Sequence, residues 1–344
     1  PSILPPFLPS LYTSLMPYDV ITVGAAVLDV YLESDAFKVE KRNSKSGSRA
    51  CFLLGEKVEV RKPTFSSGGG ATNAAATFAH LGFRVGCVAK IGNDHSGHII
   101  SKDLELHGVH TDLLVRCADE TTGYSTLLTA PNGERTAMVF RGASGSLSSK
   151  DIPWSHIRAN WLYITSLNGD FLLFEKLLNH AISHGIKVAW NPGVRELESE
   201  RAKIIKLISK VDLTLLNTHE AAALTGLPEL HVRFMLGALS KRTEGMIVIT
   251  AGPKGTFACR KDVCFPAEPN DVPVINTTGS GDAFGGAFVA GLIAYDRDIV
   301  GALRLGTLNA ESVIQKVGAK NGILERMPGS RRLSQIIVEP YKIE

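Results

Sequence analysis

The residues best suited to chemistry stand together near the C-terminal end of the chain: Gly279, Ser280, Gly281 and Asp282. They belong to Asn276-Thr277-Thr278-Gly279-Ser280-Gly281-Asp282-Ala283-Phe284-Gly285-Gly286, a Thr/Gly-rich turn that runs straight into a helical pattern. The first N–H groups of a helix have no partner within it, and the macrodipole adds partial positive charge there. Glycines remove the Cβ atoms that would hold an anion away from those donors. The turn is thus a candidate phosphate cradle. At its mouth, Asp282 is favoured as the anion and is able to accept a proton at neutral pH. The same residues also suit an ordinary strand-to-helix turn with a first-turn Asp, and local physics does not separate the two.

Such a turn needs elements to hold it. The apolar, β-favouring run Val272 to Ile275 leads in, and Asp282, Gly286 and Ala290 recur at helical spacing, with Gly285 and Gly291 beside them for close packing. Upstream, apolar strands alternate with amphipathic helices: Trp161 to Thr165, Phe171 to His184, Lys187 to Trp190, Glu198 to Lys210, Leu213 to Leu216, Met246 to Thr250. This order argues for a mostly parallel sheet covered on both faces, with ligands at the C-terminal strand ends. Val20 to Val23 reads as a buried first strand ending at Gly24, with the carboxylate of Asp29 just beyond. A second glycine turn, Gly68-Gly69-Gly70, opens an Ala-rich helix that carries Asn73 and stops at Gly82. Val85 to Ile91 reads as a strand, Gly92, Asp94 and Gly97 as a structural turn, and His98 to Leu106 as a helix. Period-two alternation at Lys57 to Arg61, and at Tyr124 to Thr129 and Thr136 to Phe140 around a Pro131-Asn132-Gly133-Glu134 turn, suggests exposed strands. Lys41 to Arg49 reads as a flexible loop.

Composition narrows the function classes. The chain has 344 residues, 44% hydrophobic and 21% charged, with a net charge of +3. These are ordinary values for a globular protein with a sizeable core. The densest basic stretch, Lys38 to Lys62, is broken by Glu40, Glu56 and Glu59, so it reads as a solvated surface and not a nucleic-acid patch. Five cysteines without CxxC spacing suggest reduced thiols in a cytoplasmic protein, with Cys259 and Cys264 on strand and turn positions. Ten histidines show no HExxH or comparable zinc pairing. Residues 1–17 carry five prolines and no charge, which suits neither a secretory signal nor a spanning helix. They read as a disordered or over-extended N-terminus, with folding from Tyr18.

The stretch around Asp282 resembles the C-terminal signature of the ribokinase-like (phosphofructokinase-B type) carbohydrate kinases, and the glycine turn with Asn73 resembles their N-terminal one. The resemblance covers roughly Tyr18 to Pro328. It implies a three-layer α/β/α fold with a mostly parallel central sheet and a small β-sheet lid, built as a kinase domain over 18–330. Lid segments would lie at about 31–65 and 121–141, and 331–344 would be a C-terminal tail. It also implies that Gly279, Ser280 and Gly281 form the anion hole, Asp282 is the catalytic base, and Asp29, Gly69, Gly70 and Asn73 line the sugar site. Arg141, at the end of a lid strand, is a candidate for an acidic or phosphorylated substrate, against the alternative of an exposed salt bridge.

Leu216-Asn217-Thr218-His219-Glu220 resembles the family's Asn-x-x-Glu motif, which implies magnesium held through water by Glu220 and a nucleotide contact at Asn217. Thr250, Gly252 and Gly255 match a nucleotide-binding turn, and Asn309 would lie by the adenine. A monovalent cation (K+) would sit near Ala319 and Asn276, where many members carry an Asp. Ribokinases proper often carry a Lys in place of Gly70, and Ser166 to Asp170 offers no obvious acidic contact, so ribose is not implied. The implied activity is ATP-dependent phosphorylation of a sugar hydroxyl, with a possible homodimer through the lid and no nucleic-acid or membrane partner. A nucleoside kinase of the same fold is one alternative, and a non-catalytic sugar- or nucleotide-binding regulator another. No GxxxxGK[ST] is present, and the turn at Gly279 lacks the GxGxxG spacing of a dinucleotide fold.

Overall fold

The structure, a computed structural model, describes residues 17–36, 39–41, 48–50, 54–129 and 135–342. Residues 1–16, most of the Lys41 to Arg49 loop, Cys51 and the turn at 131–134 lie outside the described residues.

The main sheet runs parallel through Val85–Val88, Tyr18–Val23, Ala159–Ile164, Lys187–Trp190, Leu213–Asn217 and Met246–Thr250. Thr256–Arg260 and Val263–Glu268 continue it antiparallel. Successive side chains of a strand point to opposite faces, so each strand feeds two cores. Ile21, Val23, Leu162 and Ile164 join Phe174, Leu177 and Leu236 on one face. Val20, Trp161 and Tyr163 join Phe78, Phe284, Phe288 and Leu303 on the other. The result is three layers. Helix ends are set locally: Asp170 accepts from the Leu173 N–H to start Phe171–His184, and Gly185 at φ 66° ends it. Among the described residues no helix is long and apolar enough to cross a membrane.

A separate sheet, in the order Arg135–Phe140, Gly123–Thr129, Val27–Glu33, Lys62–Gly68, forms the lid. It corrects several sequence expectations. Asp29 lies inside the lid strand Val27–Glu33 and not just beyond the end of a buried strand. Lys57 to Arg61 forms no strand. Lys62–Gly68 pairs with Val27–Glu33 instead, placing Ser66 opposite Asp29 and leading directly into the glycine turn. Alternation in a solvent-facing segment carries no burial to fix which residues pair. Val272 to Ile275 is likewise not a strand. The edge of Val263–Glu268 is taken by Ile337–Val338 and Tyr341–Lys342, so the expected tail belongs to the sheet.

Two long segments break. Val85 to Ile91 divides into Val85–Val88 and Lys90–Gly92. The Glu198 to Lys210 helix becomes Val194–Ser199 and Arg201–Ile208 around a non-helical Glu200 at φ −141°. His95–Leu106 begins earlier than expected because Asp94 caps it. The thiol expectation fails for one pair: Cys259 and Cys264 sit in direct register on facing strands, Cα atoms 4.1 Å apart, and are joined as a disulfide, while Cys87 and Cys117 are free. Both cysteines lie on strands, joined by the two-residue turn Lys261-Asp262, and not on strand and turn positions.

Candidate active site

Helix Ser280–Ala294 begins at Gly279, whose φ of 76° is left-handed. A Cβ there would stand 2.4 Å from the Cβ of Ala319, so Ala319 backs the turn closely. The helix can lie against the sheet because its small residues admit neighbours: a Cβ on Gly285 would meet the Tyr163 hydroxyl at 2.1 Å. Asp282 occupies the first turn, where N–H groups have no helical partner.

Asn73 reaches Asp282 from helix Gly70–His80, its Nδ2 donating to Oδ2 at 2.8 Å. The Oδ1 of Asn73 is buried without a hydrogen-bond partner. Burial pushes the Asp282 carboxyl above its ordinary value, while the Asn73 hydrogen bond and the Lys320 charge pull it down. Asp29 is 7% exposed. Its Oδ2 lies 1.9 Å from where a Cβ on Gly68 would stand. Burial and the Asp282 charge raise its carboxyl, against a Ser125 hydrogen bond and Lys320. A Cβ on Gly70 would strike Thr165 Cβ at 2.8 Å, and one on Gly69 the Ala25 carbonyl at 2.4 Å. The structure therefore gathers Asp29, Gly69, Gly70, Asn73 and Asp282 at one place. Arg141 is exposed, its side chain beside Gly145, and among the described residues it makes no ion pair.

On the other side of Ser280 and Gly281 opens a cleft of about 720 Å³, lined by Asn217, Thr250, Gly252 and Gly255 with Val272, Val274, Thr277, Phe284, Thr307 and Ile314. Asn309 is not among its walls. It is wholly buried, its Nδ2 donating to Ala283 O at 2.8 Å and its Oδ1 accepting from Leu324 N at 2.9 Å. Its amide ties two distant backbone segments together, and it does not line the cleft.

Glu220 and Asn217 form a reciprocal capping box, each backbone N–H donating to the other's side chain at 2.8 Å. Burial, with Asp282 adding, pushes the Glu220 carboxyl up to about 7, against the Asn217 N–H. Asn276 is buried, its Oδ1 accepting from Thr278 N at 2.8 Å.

Sequence reasoning missed three residues. Glu196 accepts from Ser166 Oγ, Leu167 N and Gly169 N to hold the loop that carries Asn168. Glu311 accepts from Asn270 N at 2.6 Å at the wall of the cleft. Lys320 lies fully buried beneath the glycine turn. None has a local signal, since Glu in a helix or Lys in a loop ordinarily faces water.

Residues 19–326 match the pfkB family carbohydrate kinases. The ribokinase of Haemophilus influenzae is 27% identical over 277 residues, spanning 79% of this chain and 89% of its own. The cytidine kinase of Thermococcus kodakarensis is 28% identical over 261 residues, spanning 73% and 88%. Among solved structures, Arabidopsis thaliana ribokinase complexed with ribose and ATP has a TM-score of 0.74 at 21% identity, covering 93% of this chain and 98% of that one.

Proposed function

The chain belongs to the pfkB family of carbohydrate kinases, and from that premise we propose that it moves the γ-phosphoryl group of ATP to a hydroxyl of a sugar or sugar derivative, with Asp282 as the base. The observation that carries this is the Asn73–Asp282 hydrogen bond of 2.8 Å. It joins the helix that follows the sugar turn to the helix that starts at the anion turn, so acceptor and phosphate meet at one carboxylate.

Phosphoryl transfer passes through a loose transition state, and positioning with charge stabilisation does most of the work. Asp282 takes the acceptor proton as the bond from hydroxyl oxygen to phosphorus forms and the bond to the leaving ADP breaks. The N–H groups of Gly279, Ser280 and Gly281 stabilise the phosphoryl oxygens. Asp29, Gly69, Gly70 and Asn73 orient the sugar, and the unpartnered Asn73 Oδ1 is ready to accept from a second hydroxyl. The exposed Arg141 suits an acidic or phosphorylated acceptor. Asn217, Thr250, Gly252 and Gly255 hold the nucleotide, with Val272, Val274 and Phe284 offering apolar faces to the base. Lid closure would keep water out.

Magnesium fits the residues at this site. Glu220 is a buried carboxylate with its charge disfavoured, so a nearby cation would restore its ionised form, and one carboxylate suits an ion that keeps most of its water. Bound there through water, magnesium would neutralise phosphate charge. Asn276 brings no charge, and its Oδ1 already accepts from Thr278, so no step is assigned to a monovalent cation. We place the reaction in the cytoplasm, one of the compartments that hold ATP. The lid exposes Phe65, Met138 and Phe140, which supports a homodimer through that sheet.

A nucleoside kinase is the second reading, favoured by the likeness to a cytidine kinase. Release of ADP from ATP and magnesium, measured across sugars, sugar phosphates and nucleosides with Asp282→Asn alongside, separates the two. Turnover with one acceptor class, lowered about 10²- to 10⁴-fold in the variant, is the expected result. Sugar or ATP binding with no turnover in either protein would leave a non-catalytic regulator.

A further inference from the structure

Lys320 has a side chain only 1% exposed. Its Nζ donates to Ser67 O and Ser67 Oγ, each at 2.5 Å, and to Thr72 Oγ1 at 3.2 Å. The two hydroxyl protons are used elsewhere, Ser67 Oγ donating to Asp103 Oδ2 at 2.5 Å and Thr72 Oγ1 to Gly68 O at 2.8 Å. Three acceptors around one nitrogen match the three N–H groups of an ammonium.

These partners are the acceptor turn itself. Ser67 leads into Gly68, Gly69 and Gly70, and Thr72 precedes Asn73. The lysine's own backbone follows Ala319, which packs against Gly279 of the anion turn. One side chain therefore spans from the phosphate turn to the sugar turn. The titratable groups that face it come from four sides: Asp103 Oδ2 at 3.7 Å, with His107 at the end of the same helix, Asp29 from the lid, Asp282 from the anion-turn helix, and from the main sheet the Cys87 thiol, which burial pushes up to about 11.

We propose that Lys320 is a positioning residue for the acceptor site: its side chain locks the Ser67–Gly70 turn onto the segment behind the anion hole and places a positive charge behind the turn that Asp29 faces. The proposal rests on the kinase reading above. The lysine titrates below its ordinary value because burial outweighs the opposing pull of Asp103, Asp29, Cys87 and Asp282. At Asp29, Lys320 works against burial and against the Asp282 charge.

The test has one arm that needs no substrate. In the unliganded protein with ¹³C-labelled aspartate, the Asp29 carboxyl is titrated by NMR in wild type, Lys320→Met, Lys320→Gln and Ser67→Ala. Removing the positive charge favours the protonated acid, so Asp29 should titrate about one pH unit or more higher in both lysine variants. In Ser67→Ala, which keeps the charge, it should stay in place. Lys320→Gln retains two N–H donors for the turn and reports on charge even where Lys320→Met does not fold. The second arm is kinetic, with the acceptor found in the panel. The acceptor KM should rise about 10- to 100-fold in Lys320→Gln while the ATP KM stays within about twofold. An unchanged Asp29 titration in the lysine variants, or ATP and acceptor KM rising together, overturns the proposal. Absence of turnover in wild type would overturn the kinase reading instead, and the titration would still decide the role of the charge.

Discussion

Glu220 sits in the first turn of Thr218–Thr225, where its Oε2 accepts from the Asn217 N–H. A glutamine can make the same bond, so the cap does not require the charge. The charge is disfavoured: burial and Asp282 raise the carboxyl from an ordinary 4.5 to about 7. The folded protein then binds this proton more tightly than the unfolded chain does. Its contribution to stability is fully present below pH about 4.5 and is lost as pH rises through about 7. Glu220→Gln should therefore be more stable than wild type at pH 8, by up to about 3 kcal/mol. It should also lose the pH dependence of Tm between those values while transferring phosphate poorly. Thermal unfolding at pH 5 and pH 8 checks this, and equal Tm values for the two proteins at pH 8 would refute it. The Asn-x-x-Glu spacing was readable in the chain, because a cap and its partner are neighbours. The proximity to Asp282 was not, because only the tertiary fold creates it. The same holds for Asn309: its place in the motif order suggested the adenine, and the bonds that bury it are made to distant backbone.

Helix Ser280–Ala294 is where a pattern of small residues becomes a packing constraint. Spacing alone said that Gly285, Gly286 and Gly291 would permit close approach, and it could not say to what. The structure sets Gly285 against the hydroxyl of Tyr163, which is itself buried without a hydrogen-bond partner. A methyl group at 285 has no room until that oxygen is removed. Gly285→Ala should cost about 1–3 kcal/mol. Tyr163→Phe alone should cost little, because no bond is lost. The double variant should recover most of the loss. Urea unfolding of the four proteins gives the coupling, and strictly additive effects would mean that the helix shifts as a body instead. Since Asp282 rides on this helix, a shift would also show as a lower kcat in Gly285→Ala and its recovery in the double variant.

At the scale of the whole molecule, the parallel sheet was legible because each buried strand is a short apolar run and each covering helix carries its own caps. Lys187–Trp190 and Met246–Thr250 fall at the expected residues. The lid was legible in outline only, since strands with one wet face are defined by their partners, and the pairing chose Lys62–Gly68 over the better-alternating Lys57 to Arg61. That pairing also sorts the lid's side chains. Asp29 lies opposite Ser66 and Ser125, whereas Phe65 and Thr126 lie opposite Val30, Tyr124 and Phe140 face each other, and Met138 faces Thr126. Phe65, Tyr124, Met138 and Phe140 thus share the face away from Asp29, with exposures from 36% for Tyr124 to 59% for Phe65. Four large apolar side chains together on one face of a four-stranded sheet are unfavourable in water and suit a second copy of the same face. The proposed homodimer should therefore sediment as one species of twice the chain mass at about 10 μM, within the μM–mM range where exposed apolar surface drives association. Phe65→Asp with Phe140→Asp should sediment as the monomer with the main sheet's stability intact. A wild-type monomer at that concentration would overturn the homodimer and leave the apolar face to another protein. A dimer that survives both substitutions would move the interface elsewhere.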